Sequence, residues 1–305
     1  MTSYTYPIAR PSGALSAEQI HLLLSNPRAI AKRLATLTDY KFIADYLLTG
    51  RFSAEGGGVF YETGEQIFAA DAPEAVAPGA GYRKTVLTQG EIAAAKTDKL
   101  GIATDITDEK ISRVGIQFVN KGLIRLSNAV VKDVDERAMA VIIAKVVSTS
   151  AATAAWTTAG AVLETLVATA ATRNDGTGID LDTVVLSPTK FAKLIGILVN
   201  AAALPREDGN IILTGNLPFN ALGFTWATSP RWTSANPLFV DREQLGGMAD
   251  EDLGSPEFSS ASAVNVEVSS IRKGDLDKYV LRARRVVVPI VTEPLAGVTI
   301  TGTTL

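Results

Sequence analysis

Apolar residues recur every three or four positions through the middle of the chain: Ile116, Val119, Leu123, Leu126, Val130, Val134, Ala138 and Val141. That spacing puts them on one face of an α-helix. A helix from about Ile116 to Val147, entered through Thr107-Asp108-Glu109, would run roughly 45 to 50 Å at about 1.5 Å per residue. Gly122 lies inside it, where the helix can bend or admit a neighbouring backbone. The stripe fits either a coiled-coil dimer or a helix laid along a β-layer. Asn120, Asn128 and Lys132 interrupt it and its flanking charges are irregular, which favours the β-layer.

Upstream, two shorter helical patterns follow an arm punctuated by Pro7, Pro11 and Gly13. Ser16 can cap the first, whose apolar face carries Ile20, Leu23 and Leu24. Pro27 suits the first turn of the second, which continues through Ile30, Leu34 and Leu37. From Gly56 to Asp105 the pattern changes. Val59-Phe60-Tyr61, Gln66-Ile67-Phe68 and Tyr82 to Leu87 read as extended pieces between Pro73, Pro78, Gly79 and Gly81. Ile92, Leu100, Ile102, Thr104 and Ile106 fall on one face at the two-residue period. Ala93, Ala94 and Ala95 leave little bulk for a core. A thin finger of this kind is marginal alone in water. It is expected to add little to its own subunit and to lie on a neighbouring chain.

Beyond the long helix the chain alternates helix and strand. Val162, Leu163, Leu166 and Val167 mark a helix from Ala161 to Ala171, and Asn174 to Asp180 reads as a polar turn. Thr183 to Ser187 has the pattern of a buried strand, and Pro188 opens a second helix that reaches Val199. Short strands are expected at Phe224-Thr225-Trp226 and Leu238-Phe239-Val240. A β-unit closes the chain: Val264 to Val268, Tyr279 to Val288 with Pro289 breaking the ladder, and Gly297 to Thr301. The fold class expected is α+β.

With 305 residues and 32.1 kDa, the chain has room for about two domains. Lys and Arg total 29 against 32 Asp and Glu, a net charge of −3, so no global basic excess exists to hold a duplex or an anionic membrane. The arm and first helices carry a modest local excess (Arg10, Arg28, Lys32, Arg33, Lys41 and Arg51 against Glu18, Asp39 and Asp45), read as a solvated helix face. A hydrophobic fraction of 47% argues for a core and against disorder. The richest apolar stretch, Ala138 to Val147, is interrupted by Lys145, short of the ~18 residues a membrane span needs. The opening residues lack the basic-then-apolar order of a secretory signal. The expectation is a soluble intracellular product.

The chain has no Cys and one His. That removes disulfides, thiolate nucleophiles, cysteine-ligated metals and histidine clusters. A Ser-His-Asp triad would have to use His21, which reads instead as a surface or interface residue on its helix. Gly56-Gly57-Gly58 and Gly79-Ala80-Gly81 lead into extended segments and carry no phosphate-loop lysine. Asn174-Asp175-Gly176-Thr177-Gly178-Ile179-Asp180, with Asp182 nearby, faintly resembles a calcium loop but lacks the closing glutamate. Asp250-Glu251-Asp252 reads as a solvated loop. No catalytic, cofactor-binding or metal-ligating residue is assigned, and no enzyme is expected.

Several segments, taken in order, carry a resemblance. Ala77-Pro-Gly-Ala-Gly-Tyr82 and Leu100 to Glu109 look like an extended finger and its return into a spine helix. Asp182 to Phe191 looks like a strand–Pro–helix step. Leu222 to Pro230 and Phe239 to Arg242 look like a following strand pair. Val266 to Ser269, Tyr279 to Arg285 and Pro294 to Ile300 look like a closing sheet. The chain thus resembles the major capsid proteins of tailed bacteriophages, the Hong Kong 97 (HK97) type. The resemblance implies an N-terminal arm over 1–55, an extended loop (E-loop) over 56–106 and a P-domain with the spine over 107–150. An A-domain over 151–258 and closing P-domain strands over 259–305 complete it.

The implied function is a shell of hexamers and pentamers, icosahedral, around double-stranded DNA contacted non-specifically, with assembly in the host cytoplasm. Implied partners are copies of the chain itself, with portal, scaffold, protease and decoration proteins as further candidates and no membrane. An encapsulin-like cellular nanocompartment shares the fold and is the alternative; a carboxylate-based α+β enzyme is the remote one. No coiled coil precedes the finger, so no fused N-terminal scaffold is expected. Some relatives join a finger lysine to a neighbour's asparagine. Lys84, Lys96 and Lys99 could donate. Where the acceptor pattern belongs, this chain has Asp277-Lys278-Tyr279 followed by Arg282, Arg284 and Arg285, and Asn265 or Asn128 could stand in only by chance of geometry. An uncross-linked shell is expected.

Overall fold

A computed structural model describes residues 15–37, 43–64, 69, 71–85, 90–201, 219–261 and 265–305. Residues 1–14, with the Pro7, Pro11 and Gly13 of the arm, Gln66-Ile67-Phe68, and Val264 of the closing β-unit lie outside them. In chain order the elements are α1 (Ala17–Leu24), α2 (Pro27–Leu37), α3 (Ile43–Leu47), β1 (Gly50–Ser53), β2 (Gly58–Thr63), β3 (Glu91–Lys96) and β4 (Asp98–Thr107). Then come α4 (Asp108–Val114), α5 (Ile116–Lys145), β5 (Thr149–Ala151), α6 (Ala159–Thr177), β6 (Thr183–Leu186) and α7 (Pro188–Asn200). The chain closes with β7 (Phe219–Ala221), β8 (Phe224–Thr228), β9 (Leu238–Val240), α8 (Arg242–Leu245), β10 (Gly246–Asp250), β11 (Ser259–Ala261), β12 (Val266–Lys273), β13 (Lys278–Val291) and β14 (Gly297–Thr301). These fall into two compact units. One holds Asp98–Val134 and Asp252–Val286 with the described residues before position 42; the other holds Ile43–Thr97, Asp135–Glu251 and Val287–Leu305.

In the first unit β12 pairs antiparallel with β11 and with the first half of β13, and β4 runs along β13. A Cβ on Gly101 would press on Arg284 and the Ala283 carbonyl, so a side chain there would push β4 off its neighbour. Ser16 caps α1 through a full capping box with Gln19, burying Ile20 and Leu24. The helix expected from Thr107 onward is split. Gly115, at φ 74°, ends α4 and lets α5 start anew at Ile116. Gly122 is not needed for clearance, since a Cβ there would meet Ile106 and Thr104 of β4 at an ordinary 3.7 and 3.8 Å. Those contacts do lay α5 along a β-layer, as its stripe suggested. The single face expected across the finger and β4 is broken: Leu100 and Ile106 are buried, but Ile102 and Ile92 are exposed.

In the second unit a six-stranded sheet runs β5-β14-β9-β6-β8-β7. Its middle strand β6 is buried at every residue, with β8 parallel on one side and β9 antiparallel on the other. Ser187 and Pro188 then turn the chain into α7, as the sequence suggested. α6 overruns the polar turn expected at Asn174. It continues to Thr177 and closes only at Gly178, left-handed at φ 72°, whose N–H bonds the Asn174 carbonyl. β1 lies parallel to β10 so closely that a Cβ on Gly247 would collide with the Gly50 backbone.

Pro289 does not break β13, which pairs through it with Met248 of β10. The Thr292 N–H reaches back to the Leu245 carbonyl, so at the two-residue period the Pro289 nitrogen faces away from β10. On its other side the pairing with β12 has already ended at Arg284. No ladder bond is lost. Among the described residues no helix is long and apolar enough to cross a membrane.

Candidate assembly surface

The strand pair β2–β3 is the thin finger seen in the sequence, paired from Gly58↔Lys96 to Thr63↔Glu91. Its root is held by its own chain, contrary to expectation. Gly56 and Gly57, at φ 64° and 87°, make the turn between β1 and β2, and the Gly57 N–H donates to Glu251 Oε1 at 3.0 Å. The other oxygen of the same carboxylate accepts the Thr97 hydroxyl at 2.6 Å. Farther out, Gly64 N–H donates to the Thr292 carbonyl at 3.1 Å. Val59, Tyr61 and Ala95 pack on buried Ala54, Ala249 and Ile290. Glu251 is thus a clamp rather than part of a solvated loop, and the amide of the glycine turn is occupied rather than free for a phosphate.

The opposite face of the pair is bare. Phe60 is 82% exposed and Ile92 77%. Phe60 stands across from Ala94, and Ile92 across from Glu62, whose carboxylate is turned to the Gly90 N–H at 2.6 Å. In the segment beyond, Arg83 and Asp71 form an ion pair at 2.8 Å, Gly79 sits in a turn closed by the Ala80 N–H on the Ala77 carbonyl, and Tyr82 is 86% exposed. A polar strand pair would leave no such face; here side chains of both registers are apolar and only one register is covered.

The remaining candidates from the sequence are structural joints. His21 Nδ1 lies 3.2 Å from the Tyr279 hydroxyl. Arg272 stacks on the same ring at 4.8 Å and grips Asp108 through both guanidinium nitrogens at 2.5 and 2.6 Å. That hydrogen bonding holds the Asp108 carboxyl below its ordinary value. Asp241, capping α8, is pushed the other way by burial. The phenol of Tyr46, raised by burial, lies under Arg242 at 4.4 Å. Asp175 and Asp180 sit on α6 and just past it, and among the described residues no group of acids or His is placed to hold a metal.

Of the cross-linking candidates, Lys84, Lys96 and Lys99 are exposed, as is Asn265, left-handed at φ 46°. Asn128 is on α5 with its side-chain oxygen buried and unpartnered. Asp277 neighbours Arg272, and Lys278 pairs with Asp105 at 2.6 Å. Arg284 is not a free cation: it is buried, bonds Glu267 at 2.6 Å and stacks on Phe258 at 3.6 Å. The bare face has a signal in the sequence, the alternation of Val59-Phe60-Tyr61, which marks two faces with different fates as well as a thin strand pair; the clamp has no local one, since Glu251 lies 194 residues from Gly57.

A family model described as phage capsid protein matches residues 90–300. The chain belongs to the phage capsid protein family. Its members are structural shell proteins rather than enzymes, and the capsid protein's place is the virion. No curated protein matches the sequence. Solved structures share the fold. The capsid of cyanophage P-SCSP1u aligns at TM-score 0.56 and 13% identity, over 86% of this chain and 89% of that one. The major capsid proteins of phage G align at 0.53 and 10%, over 99% and 100%. A virus-like particle from Pyrococcus furiosus aligns at 0.53 and 10%, over 89% and 97%. The capsid protein therefore has the HK97-like fold, and its role is in a shell built of copies of itself.

Proposed function

We propose that copies of this chain form hexamers and pentamers that close into an icosahedral shell around double-stranded DNA, assembled in the host cytoplasm. In this reading residues 1–55 are the arm and 56–106 the E-loop, which lies over the adjacent subunit. Residues 107–150 carry the spine, 151–258 form the A-domain whose copies meet at the capsomer centre, and 259–305 close the P-domain. Portal, scaffold, protease and decoration proteins are its candidate partners.

The observation that carries the reading is the bare outward face of β2–β3. Phe60 and Ile92, 82% and 77% exposed, stand on a strand pair whose other face is already packed. In a shell of identical subunits a second copy covers them. The net charge of −3 suits a container, because a strongly basic wall would hold the genome through many phosphate contacts.

An encapsulin-like nanocompartment is the second reading, favoured by the fold shared with the Pyrococcus furiosus virus-like particle. Electron microscopy of purified particles, with nuclease-protected DNA assayed, separates the two. Closed particles with protected DNA support the phage shell, and closed particles holding protein and no DNA support the compartment. A sharp monomer peak in sedimentation, with no large species, contradicts both.

A further inference from the structure

A recess of about 340 Å³ opens in the second unit between β5 and the C-terminal half of α6, with Val298 of β14 in its wall. That volume is at the lower end of the roughly 300–1,000 Å³ typical of small-molecule sites. Arg173 is its charged residue, and among the described residues no carboxylate lines it. The guanidinium is half-buried, and among the described residues no hydrogen bond or ion pair engages it. Glu293 acts on it only through space, with Oε1 committed to the Leu295 N–H at 2.9 Å. Burial pushes Arg173 below its ordinary value and Glu293 opposes this; a guanidinium stays cationic regardless. A cation drawn partly out of water without a partner is costly.

The hydroxyls around it can be counted, since each has one proton. Thr172 spends its proton on the Ala168 carbonyl and Thr177 on the Arg173 carbonyl, both at 2.8 Å. Thr165 donates to Ala161 at 2.8 Å, so in its 3.0 Å bond with Thr153 the donor is Thr153. Ser150 and Thr169, the latter 8% exposed, share one 3.1 Å bond, which leaves one proton between them. Thr149 has no side-chain partner among the described residues. The recess therefore offers a cation and two hydroxyl donors, with no negative charge in its lining. A metal ion would meet Arg173 as a like charge. An oxyanion would find charge-assisted donors.

We propose that this recess binds a phosphate-class oxyanion, with Arg173 as its charge partner and Thr149 and the Ser150–Thr169 pair as hydroxyl donors. The site goes beyond the shell reading and does not depend on it. The oxyanion is either free phosphate or a phosphodiester of a nucleic acid.

Calorimetry on the purified full chain, with inorganic phosphate titrated at constant ionic strength, tests the site. One saturable site per chain is expected. Arg173→Gln should weaken binding at least about tenfold, as loss of a charge-assisted contact does. Glu293→Gln keeps an acceptor for the Leu295 N–H and removes the competing charge, so it should tighten binding about threefold. Should Arg173→Gln fail to fold, Thr149→Val at an exposed position and Glu293→Gln give the same reading with opposite signs. A second arm titrates a short DNA oligonucleotide. Competition with phosphate that Arg173→Gln abolishes assigns the phosphodiester, and phosphate binding without competition assigns the free ion. Absence of saturable phosphate binding, or binding that neither Arg173→Gln nor Glu293→Gln changes, overturns the proposal.

Discussion

The helix α5 and the strand pair β2–β3 both carry apolar residues at regular spacing, and they use them differently. On α5, Val119, Leu123, Leu126, Val130, Val134 and Ala138 are no more than 4% exposed within the one chain. On β2–β3 the inward register (Val59, Tyr61, Ala95) packs on the subunit, while Phe60 and Ile92 of the outward register stand open. One element spends its apolar surface on the subunit's own fold. The other divides it, half for the subunit and half for whatever covers the outward face. In the proposed shell, folding and assembly are thereby separated on the two sides of a single pair of strands.

The largest effect should come from breaking the helix side. Leu123→Asp or Val130→Asp would bury an unpaired carboxylate, at a cost of several kcal/mol, comparable to the whole ~5–15 kcal/mol margin of a domain. Solubility and urea melts check this; soluble, fully assembled mutant particles would mean that the wrong face was taken as inward. Next is the clamp. Glu251→Ala strands the Gly57 N–H and the Thr97 hydroxyl, which should cost about 1–3 kcal/mol and speed amide exchange at Gly57. Unchanged exchange there would show that the root is held by packing alone.

The outward face should behave in the opposite way. Phe60→Ser with Ile92→Ser is expected to move subunit stability by no more than about 0.5 kcal/mol, as surface substitutions do, while the yield of closed particles collapses. Normal particle yield would refute the division of labour between the two registers. Removing the whole finger is a poorer test, since it would strip the cover from Ala54, Ala249 and Ile290 and cut into β4. The smallest expected change is none. Particles boiled in detergent should give one band at 32.1 kDa, because the Asn128 side-chain oxygen is buried and Asp277-Lys278-Tyr279, followed by Arg282, Arg284 and Arg285, stands where the acceptor asparagine and the base of isopeptide chemistry belong. A ladder of multimers would point to Lys84 or Lys96 reaching Asn265.

Where periodicity is long, reading it worked: the α5 stripe, the Ser16 cap and the Ser187-Pro188 step all appear where the residues put them. Where one residue decides, it did not. Gly115 splits the helix by a single left-handed φ of 74°, and α6 runs through Asn174-Asp175-Gly176, a stretch of low helix propensity, to a left-handed glycine cap at Gly178. Pro289 is harmless only because of the side of the strand its nitrogen faces, a property of register and not of composition. The clamp was invisible for a related reason: Glu251 lies 194 residues from Gly57, and nothing local marks an acid as the partner of a distant turn.

A density map of the closed particle tests the central claim most directly. Phe60 and Ile92 should be buried against an adjacent copy while Glu251 still holds Gly57 and Thr97 within each subunit. A closed particle in which that face remains open to solvent would contradict it.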